Sequence, residues 1–362
     1  MTKNDSIISI VGARPNFVKL AAIHRNFPKR IKHSVVHTGQ HYDFKMSEIF
    51  FKDFMLPDPD YNLDVGPGSR AFQISEMIKK IEVVLKNENP DLVLVYGDTN
   101  STFAGAFAAS ACNIKLAHLE SGLRSFDRRM PEESNRILTD NLSDLLFAPT
   151  KTSICNLRNE NNLGRIIRTG DVSVEIVNET KSSLLNKRKN MAVRDLDSKS
   201  YVLFTMHRAE NTGRKENLLS MIRSFEKLNN HDIVFPIHPR TKKVLESYDL
   251  FERLIRCNNV KVIDPVGYLE FINLLLNSKK VVTDSGGVQK EAYILSIPCI
   301  TIRDNTEWVE TVDEGWNVLV GLNIEKIIKY VDNWYPSRKQ KPVFGDGKAS
   351  KKIMNELLKF LM

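Results

Sequence analysis

Four segments of the chain place proton-carrying side chains next to glycine, hydroxyl or arginine residues. Residues 96–99 read Tyr-Gly-Asp-Thr, residues 118–124 read His-Leu-Glu-Ser-Gly-Leu-Arg, and residues 130–136 read Met-Pro-Glu-Glu-Ser-Asn-Arg. Residues 206–211 add Met-His-Arg-Ala-Glu-Asn. Each segment stands just past an apolar run or at the start of a helical pattern, where carboxylates and a histidine are suited to proton transfer. The candidates for that chemistry are Asp98, Glu120, Glu132 and His207.

The elements that position these residues follow from the alternation of short apolar runs with helical patterns. The predicted strands are 7–11, 34–38, 91–96, 115–119, 145–148, 201–205, 233–237, 260–263, 280–283 and 299–302. The predicted helices are 17–27, 74–86, 102–111, 217–228, 268–277 and 288–295. Strands that alternate with helices indicate parallel sheets covered on both faces.

The alternation breaks near residues 169–171 and resumes after a charged, weakly patterned stretch at 182–200. A length of 362 residues also favours two domains over one. We therefore predict an α/β protein with two doubly wound, Rossmann-like domains that face each other across a cleft, at 1–172 and 173–345. Parallel sheets bind ligands outside the carboxyl ends of their strands, so the cleft is the predicted ligand site.

Composition narrows the class of protein. Hydrophobic residues make up 42% of the chain and charged residues 27%, which is typical of globular domains. The net charge of +8 either aids solubility or attracts an anionic ligand such as a nucleotide sugar. Lysine and arginine are spread along the chain, so the sequence does not predict binding to nucleic acid.

The four cysteines form no Cys-x-x-Cys pair, and none stands beside a histidine at zinc-ligand spacing. We expect no metal site, and reduced thiols of a cytoplasmic protein. No apolar run is long enough to cross a membrane, and the first residues lack the apolar core of a signal peptide.

The turn after the first predicted strand is suited to a phosphate group. Residues 12–19 open a helix, whose free amides and dipole favour an anion. Arg14 adds a bidentate donor, and Lys19 follows about one helical turn later. The alternative is an ordinary turn with a solvated arginine. The chain has neither the Gly-x-Gly-x-x-Gly fingerprint of a dehydrogenase nor a Walker phosphate loop.

A second such turn lies at residues 284–292. Gly286 and Gly287 allow the backbone to approach a diphosphate, and Ser285 offers a hydroxyl. Glu291 in the following helix can accept the hydroxyl protons of a ribose. The alternative is a capped helix that begins with a glycine turn.

Three histidines invite a functional or a structural interpretation. His207 and His238 each follow a predicted strand and precede polar residues, which favours an active site, although an isolated histidine is more often structural. His118 lies inside a predicted strand, where a satisfied core residue is the simplest interpretation.

These motifs together resemble the non-hydrolysing UDP-N-acetylglucosamine 2-epimerases. The resemblance extends from Gly12 to Lys348. Its most specific parts are residues 97–99, 120–124, 131–136 and 284–287. Hydrolysing relatives lack the Pro-Glu-Glu-x-Asn-Arg segment, so the resemblance implies a reaction without hydrolysis.

The resemblance also implies roles for individual residues and for the tail. Gln40 and His41 match a segment that helps to form a regulatory substrate site in bacterial members, although residues 66–70 depart from the bacterial pattern and leave activation by substrate open. The helix within 346–362 is expected to pack back on the first domain. The implied substrate-binding residues are Arg14, Lys19, Arg136, His238, Tyr268, Ser285, Gly286, Gly287 and Glu291.

The chemistry implied by the family avoids direct removal of a non-acidic proton. A base takes the C2 proton of UDP-N-acetylglucosamine while UDP leaves C1, which produces a 2-acetamidoglucal, and UDP then adds back as a proton arrives on the opposite face. Carboxylates stabilise the oxocarbenium character of the transition states. The implied enzyme is a cytoplasmic homodimeric GT-B-fold isomerase of polysaccharide biosynthesis that uses no metal or redox cofactor.

Other functions remain open at this stage. The sugar can also be a modified one, such as a 2,3-diacetamido uronic acid or a deoxy sugar, because relatives acting on such UDP-sugars share the run at 307–310. A glycosyltransferase of GT-B architecture would share the nucleotide site, but it would not need clustered carboxylates. A nucleotide-sugar sensor would bind without turnover.

Overall fold

The structure is a computed structural model that describes residues 5–40, 51, 53–54, 56–186 and 199–362. Its chain forms two compact units. The first unit contains Met1–Ile176 together with Pro342–Met362, and the second contains Val177–Lys341. None of the helices in these described ranges has both the length and the apolar character needed to cross a membrane.

The described part of the first unit is built on seven parallel strands in the order β3-β2-β1-β4-β5-β6-β7. The strands are β1 Ser6–Val11, β2 Lys32–His37, β3 Tyr61–Asn62, β4 Leu92–Tyr96, β5 Lys115–Leu119, β6 Leu145–Ala148 and β7 Arg165–Arg168. The helices are α1 Arg14–His24, α2 Arg70–Glu88, α3 Asn100–Ala111, α4 Pro131–Leu142, α5 Lys151–Asn159 and α6 Ser173–Asn186, which runs into the second unit.

The described part of the second unit has six parallel strands in the order β10-β9-β8-β11-β12-β13. The strands are β8 Tyr201–Thr205, β9 Asp232–Pro236, β10 Val260–Ile263, β11 Lys280–Thr283, β12 Cys299–Thr301 and β13 Asn317–Leu319. The helices are α7 Ala209–Thr212, α8 Lys215–Lys227, α9 Pro239–Ser247, α10 Phe251–Ile255, α11 Tyr268–Asn277, α12 Gly286–Ile294, α13 Val309–Asp313 and α14 Ile324–Asn333.

The last helix, α15 Ala349–Leu361, belongs to the first unit although it follows the second in sequence. Its buried Leu357 contributes to the apolar contact with that unit. Ser350, at its start, donates its backbone amide to Glu175 Oε1 at 2.8 Å, and Ser350 Oγ accepts from Asn26 Nδ2 at 3.1 Å.

The predicted fold class, an α/β chain with two doubly wound parallel sheets, is confirmed. In each sheet the strand order reverses beside the first strand, since β1 pairs with both β2 and β4 and β8 pairs with both β9 and β11. This reversal creates the switch point at which α/β proteins bind ligands. The switch points of the two units lie at the carboxyl ends of β1 and β4 and of β8 and β11.

The sequence patterns missed elements with little burial. The strands β3, β7 and β13 are short and lie at sheet edges, and β7 begins and ends with exposed arginines, so no apolar run marks it. Helix α2 begins at Arg70 rather than 74 because Ser69 caps it, accepting from the Phe72 amide at 3.2 Å. Helix α6 extends into the charged, weakly patterned stretch at 182–200.

A chain of hydrogen bonds crosses the core of the first unit beneath β1. His33 Nε2 lies 2.8 Å from Ser9 Oγ, which lies 2.6 Å from the buried Tyr96 hydroxyl. His33 Nδ1 lies 3.1 Å from His24 Nδ1, and Phe27 stacks on the His33 ring. Burial and then repulsion from His24 lower the pKa of His33 to about 3, so the folded protein keeps this ring neutral.

This neutral histidine predicts acid sensitivity. The pKa of His33 is about 3 in the folded protein, whereas the ordinary value of a histidine is 6.5. At pH values between these two, the unfolded chain therefore binds one more proton at this site than the folded protein does. The free energy of unfolding should therefore fall as pH drops below 6.5, by at most about 1.4 kcal/mol per pH unit from this site. Urea unfolding between pH 5 and 7.5 should show a shallower pH dependence for His33→Gln than for wild type.

The matched control is His231→Gln in the second unit, where the ring instead pairs with Asp332 at 2.7 Å. That variant should leave the His33 contribution intact. Equal pH slopes for wild type and His33→Gln would contradict the argument.

Candidate functional site

The end of strand β4 is unusual because three consecutive backbone carbonyls, from Tyr96 to Asp98, each accept a hydrogen bond from a side chain. The chain leaves the sheet here, so these carbonyls have lost their ladder partners, and buried carbonyls need replacements. The donors come from the helices α1, α3 and α4 and from the strand β5. They are Asn16 Nδ2 at 2.7 Å and Thr102 Oγ1 at 2.6 Å on the Tyr96 carbonyl, His118 Nε2 at 2.7 Å on the Gly97 carbonyl, and Asn135 Nδ2 at 2.9 Å on the Asp98 carbonyl.

Asp98 is held by an arginine on α4. Its Oδ2 accepts from Arg136 Nε at 3.0 Å and Nη2 at 2.6 Å, while Arg136 Nη1 donates to Glu133 Oε2 at 2.7 Å. The Arg136 side chain is 2% exposed and that of Asp98 is 28% exposed. Arg136, predicted from the resemblance to bind substrate, thus has its guanidinium engaged by two carboxylates.

Glu120 stands one strand away and is held by a lysine on α1. Lys19 Nζ lies 2.9 Å from Glu120 Oε1, and both side chains are largely buried. Glu120 adopts a positive φ of 74°, an uncommon conformation that a charged residue keeps only where its surroundings impose it. At Gly97 φ is 65°, and a Cβ there would lie 2.9 Å from Lys19 Nζ. Gly97 therefore leaves the space in which Lys19 reaches Glu120.

The neighbouring glutamates of α4 have different environments. Glu133 is buried and accepts from the Ser125 amide and hydroxyl and from the Phe126 amide. Glu132 is half-buried in the first turn of the helix, where the dipole favours a carboxylate, and it makes no ion pair within the described residues. Of the two, Glu132 is the carboxylate left available for chemistry.

In the predicted phosphate turn at the start of α1, two backbone amides already donate to a side chain of the same helix. Asn16 Oδ1 accepts from the Gly12 amide at 3.2 Å and the Ala13 amide at 3.1 Å, and Arg14 lies half-buried in the first turn. In the segment matched to a regulatory site, Gln40 Oε1 accepts from the Ser101 amide at 3.0 Å. His41, which the resemblance assigns to the same regulatory segment as Gln40, lies outside the described residues.

The second unit centres on a buried carboxylate that sequence reasoning did not single out. Asp284 follows β11 and accepts from the backbone amides of His207 and Arg208 and from Asn211 Nδ2. His207 Nδ1 lies 3.2 Å from Asp284 Oδ1. Burial raises the pKa of Asp284, but attraction to His207 and these hydrogen bonds outweigh it and lower the pKa below its usual range. Asp284 thereby orients the His207 segment. The sequence signal that could have identified Asp284 is its position directly after a strand.

A second buried carboxylate lies against the start of α12. A Cβ at Gly286 would lie 2.0 Å from Glu307 Oε1, so only glycine fits there. Glu307 pairs with Arg303 Nη2 at 2.9 Å and lies 3.7 Å from Arg208 Nη2. Ser285, just before the helix, is half-buried, and Gly287 is exposed.

The remaining predicted residues of the second unit lie at helix starts or within α12. His238 caps α9 by accepting from the Arg240 amide at 3.1 Å, and its ring centroid lies 5.5 Å from that of His207. Tyr268 begins α11 and is 6% exposed. Glu291 lies in the second turn of α12 and is half-buried.

Two groups of predicted residues are therefore brought together, one in each unit. In the first unit, Asp98 with Arg136 and Glu120 with Lys19 follow the adjacent strands β4 and β5. In the second unit, His207 with His238 and the Ser285 turn follow β8, β9 and β11. The fold and these paired side chains define a two-unit α/β protein with a carboxylate-rich candidate site in the first unit.

Comparison with known proteins identifies the family. The sequence profile described as UDP-N-acetylglucosamine 2-epimerase matches residues 23–358. The chain is similar to a UDP-N-acetylglucosamine 2-epimerase homolog of Methanococcus maripaludis, with 53% identity over 97% of this chain and 99% of the relative. The chain belongs to the UDP-N-acetylglucosamine 2-epimerase family, a family of isomerases.

Two further comparisons bear on the substrate. The UDP-2,3-diacetamido-2,3-dideoxy-D-glucuronate 2-epimerase of Pseudomonas aeruginosa is 43% identical over 98% of this chain and 99% of its own. The crystal structure of the Methanocaldococcus jannaschii UDP-GlcNAc 2-epimerase in complex with UDP-GlcNAc and UDP has a TM-score of 0.88 and 45% identity. That match covers 98% of this chain and 99% of the solved one.

The arginine between two carboxylates predicts a large effect on stability. Arg136→Met would leave the buried Glu133 with its amide donors but without its cation, which should cost about 3–5 kcal/mol in the free energy of unfolding. Thermal and urea unfolding measure this directly. The matched control is Arg128→Met, at an exposed arginine of the preceding loop, which should change stability by no more than about 0.5 kcal/mol. Equal stability of the two variants would contradict the assignment.

Proposed function

We propose that this chain interconverts UDP-N-acetylglucosamine and UDP-N-acetylmannosamine without hydrolysis. Membership of the family supports the reaction class, and the M. jannaschii relative crystallised with UDP-GlcNAc and UDP supports the nucleotide sugar. The observation that carries the proposal is the placement of two cation-paired carboxylates, Asp98 and Glu120, after adjacent strands of one sheet. Such carboxylates can serve proton transfer and electrostatic stabilisation at one sugar.

The proposed mechanism proceeds by elimination and re-addition. One group of the first unit removes the C2 proton as the bond between C1 and the diphosphate oxygen breaks, and the electron pair of the C–H bond forms the C1–C2 double bond. UDP leaves with the electrons of the broken bond, and a 2-acetamidoglucal remains. A second group then delivers a proton to the opposite face of C2 while UDP returns to C1, so atoms and charge balance.

We assign the proton transfers and the stabilisation of the transition state to Asp98, Glu120, Glu132 and His207. The geometry supports different tasks for the first three. Asp98 and Glu120 are each held by a paired cation, which orients them as a base or as stabilisers of positive charge. Glu132 makes no ion pair among the described residues and is half-buried, which leaves its carboxyl group accessible for proton transfer.

The UDP moiety is assigned to the second unit and to Arg14 of the first unit. The turn at Ser285, Gly286 and Gly287 precedes α12 and supports a diphosphate by its close backbone approach. Tyr268 is proposed to border the uracil, Glu291 to accept the ribose hydroxyls, and His238 to stand with His207 near the diphosphate. Lys19 and Arg136 then act on the substrate through the carboxylates that they orient.

A second candidate substrate is a modified UDP-sugar. The P. aeruginosa relative with 43% identity is named for a 2,3-diacetamido uronate, so sequence similarity alone leaves this class open. A homodimer, cytoplasmic location and a role in polysaccharide biosynthesis are further parts of the proposal that rest on the family resemblance.

Incubation with UDP-N-acetylglucosamine in deuterated water tests the reaction. The elimination mechanism predicts deuterium at C2 of both epimers, with UDP-N-acetylmannosamine as the new product and no added NAD or metal needed. NMR spectroscopy of the sugar follows both. Free N-acetylmannosamine would instead show hydrolysis, while turnover of the diacetamido uronate alone would select the second substrate class.

Replacement of the carboxylates tests the assignment. Asp98→Asn, Glu120→Gln and Glu132→Gln should each lower kcat by at least about a hundredfold, the usual scale for a lost acid or base. UDP affinity should change far less, since the proposal places UDP on the other unit. The matched control is Glu82→Gln, a half-exposed carboxylate of α2 paired with Lys86, which should retain wild-type turnover. A variant that retains wild-type turnover would identify that residue as structural.

A further inference from the structure

The fully buried His118 lies between two hydrogen-bond acceptors. In strand β5, its Nε2 lies 2.7 Å from the carbonyl oxygen of Gly97, and its Nδ1 lies 2.7 Å from Asp140 Oδ1. Both His118 and Asp140 have side chains with no exposed surface. A carbonyl oxygen only accepts, so Nε2 must carry a proton. Nδ1 faces the Asp140 carboxylate, which holds the ring from its other side.

Asp140 has the environment of an ionised carboxylate. Its Oδ2 accepts from the Gly122 amide at 3.1 Å and pairs with Arg124 Nη2 at 2.7 Å. Burial raises the pKa of Asp140, but attraction and hydrogen bonds from His118 and from Arg124 outweigh it, so the pKa lies below its usual range. Because the Gly122 amide and Arg124 hold Asp140 in place, its Oδ1 fixes the His118 ring from the Nδ1 side.

The ion pairs of this cluster extend to a second carboxylate. Arg124 is also chelated by Glu160, through Nε to Oε1 at 2.7 Å and Nη2 to Oε2 at 2.5 Å. Arg124 is thus held by two carboxylates, Asp140 and Glu160. Buried charges persist where they are paired and hydrogen-bonded in this way.

The cluster reaches the candidate site through one peptide group. The Gly97 carbonyl precedes Asp98, and the positive φ of Gly97 turns the backbone away from β4 at this point. A donor held on that carbonyl sets the plane of the peptide from which Asp98 emerges. Asn135 and Arg136 hold Asp98 on its other side.

We infer that His118 is a positioning residue: its buried ring, held by Asp140, donates from Nε2 to the Gly97 carbonyl and so directs the Asp98 carboxylate. The inference rests on the proposed function for the role of Asp98 in turnover. His118 itself, with no exposed surface, does not meet the substrate.

Two substitutions separate the two hydrogen bonds. The amide nitrogen of glutamine reaches about as far as Nε2, whereas that of asparagine reaches about as far as Nδ1. His118→Gln therefore keeps a donor for Gly97, and His118→Asn keeps only the contact with Asp140. We expect His118→Asn to lower kcat by about a hundredfold with KM unchanged, the scale of a small misplacement of a catalytic group, and His118→Gln to retain most of the turnover.

Nuclear magnetic resonance tests the inference without turnover. In protein labelled with nitrogen-15, His118 should show a proton on Nε2 that exchanges slowly with solvent because the ring is buried. The amide resonances of Gly97 and Asp98 should shift in His118→Asn and stay near their wild-type positions in His118→Gln. The wild-type spectrum remains decisive if a variant fails to fold.

The outcomes are separable. A wild type without epimerase turnover overturns the proposed function, and the ring protonation and the amide shifts still decide the positioning role. A wild type that turns over, combined with wild-type kcat in His118→Asn, overturns the inference. A His118 ring without a proton on Nε2 overturns it as well.

Discussion

The first unit depends on how the chain leaves strand β4. Three successive carbonyls there lose their ladder partners inside the protein, and unpaired buried carbonyls would cost free energy. Side chains from α1, α3, β5 and α4 take over, which ties four elements to one turn. Asp98 is part of that turn, so its carboxylate is set by the whole sheet and its helices rather than by a flexible loop.

Charge pairing imposes the next constraint. Lys19 and Arg136 each bring a cation into the interior, where an unpaired charge would be costly, and each finds a carboxylate of the candidate site. The pairing fixes the direction of those carboxylates. The second unit uses the same physics in another form, because Asp284 is satisfied mainly by backbone amides around His207. A paired or amide-bound carboxylate is prepared for chemistry before a substrate arrives.

Family membership and local geometry answer different questions. The family, with relatives at 53% and 43% identity named for different sugars, shows an isomerase of UDP-sugars but leaves the sugar itself to experiment. The geometry of the first unit adds two cation-paired carboxylates, Asp98 and Glu120, at the ends of adjacent strands.

Sequence alone predicts the central strands and the places of Asp98 and Glu120, because a fully buried strand leaves an apolar run and a carboxylate just past it stands out. It does not show that Glu133 is buried while Glu132 stays half-exposed, since both residues occupy the first turn of one helix. The difference arises because Glu133, and not Glu132, accepts a hydrogen bond from Ser125. Nor does it show that His118 bridges two acceptors. Those facts depend on contacts between residues distant in sequence, which only the packing of the sheet brings together.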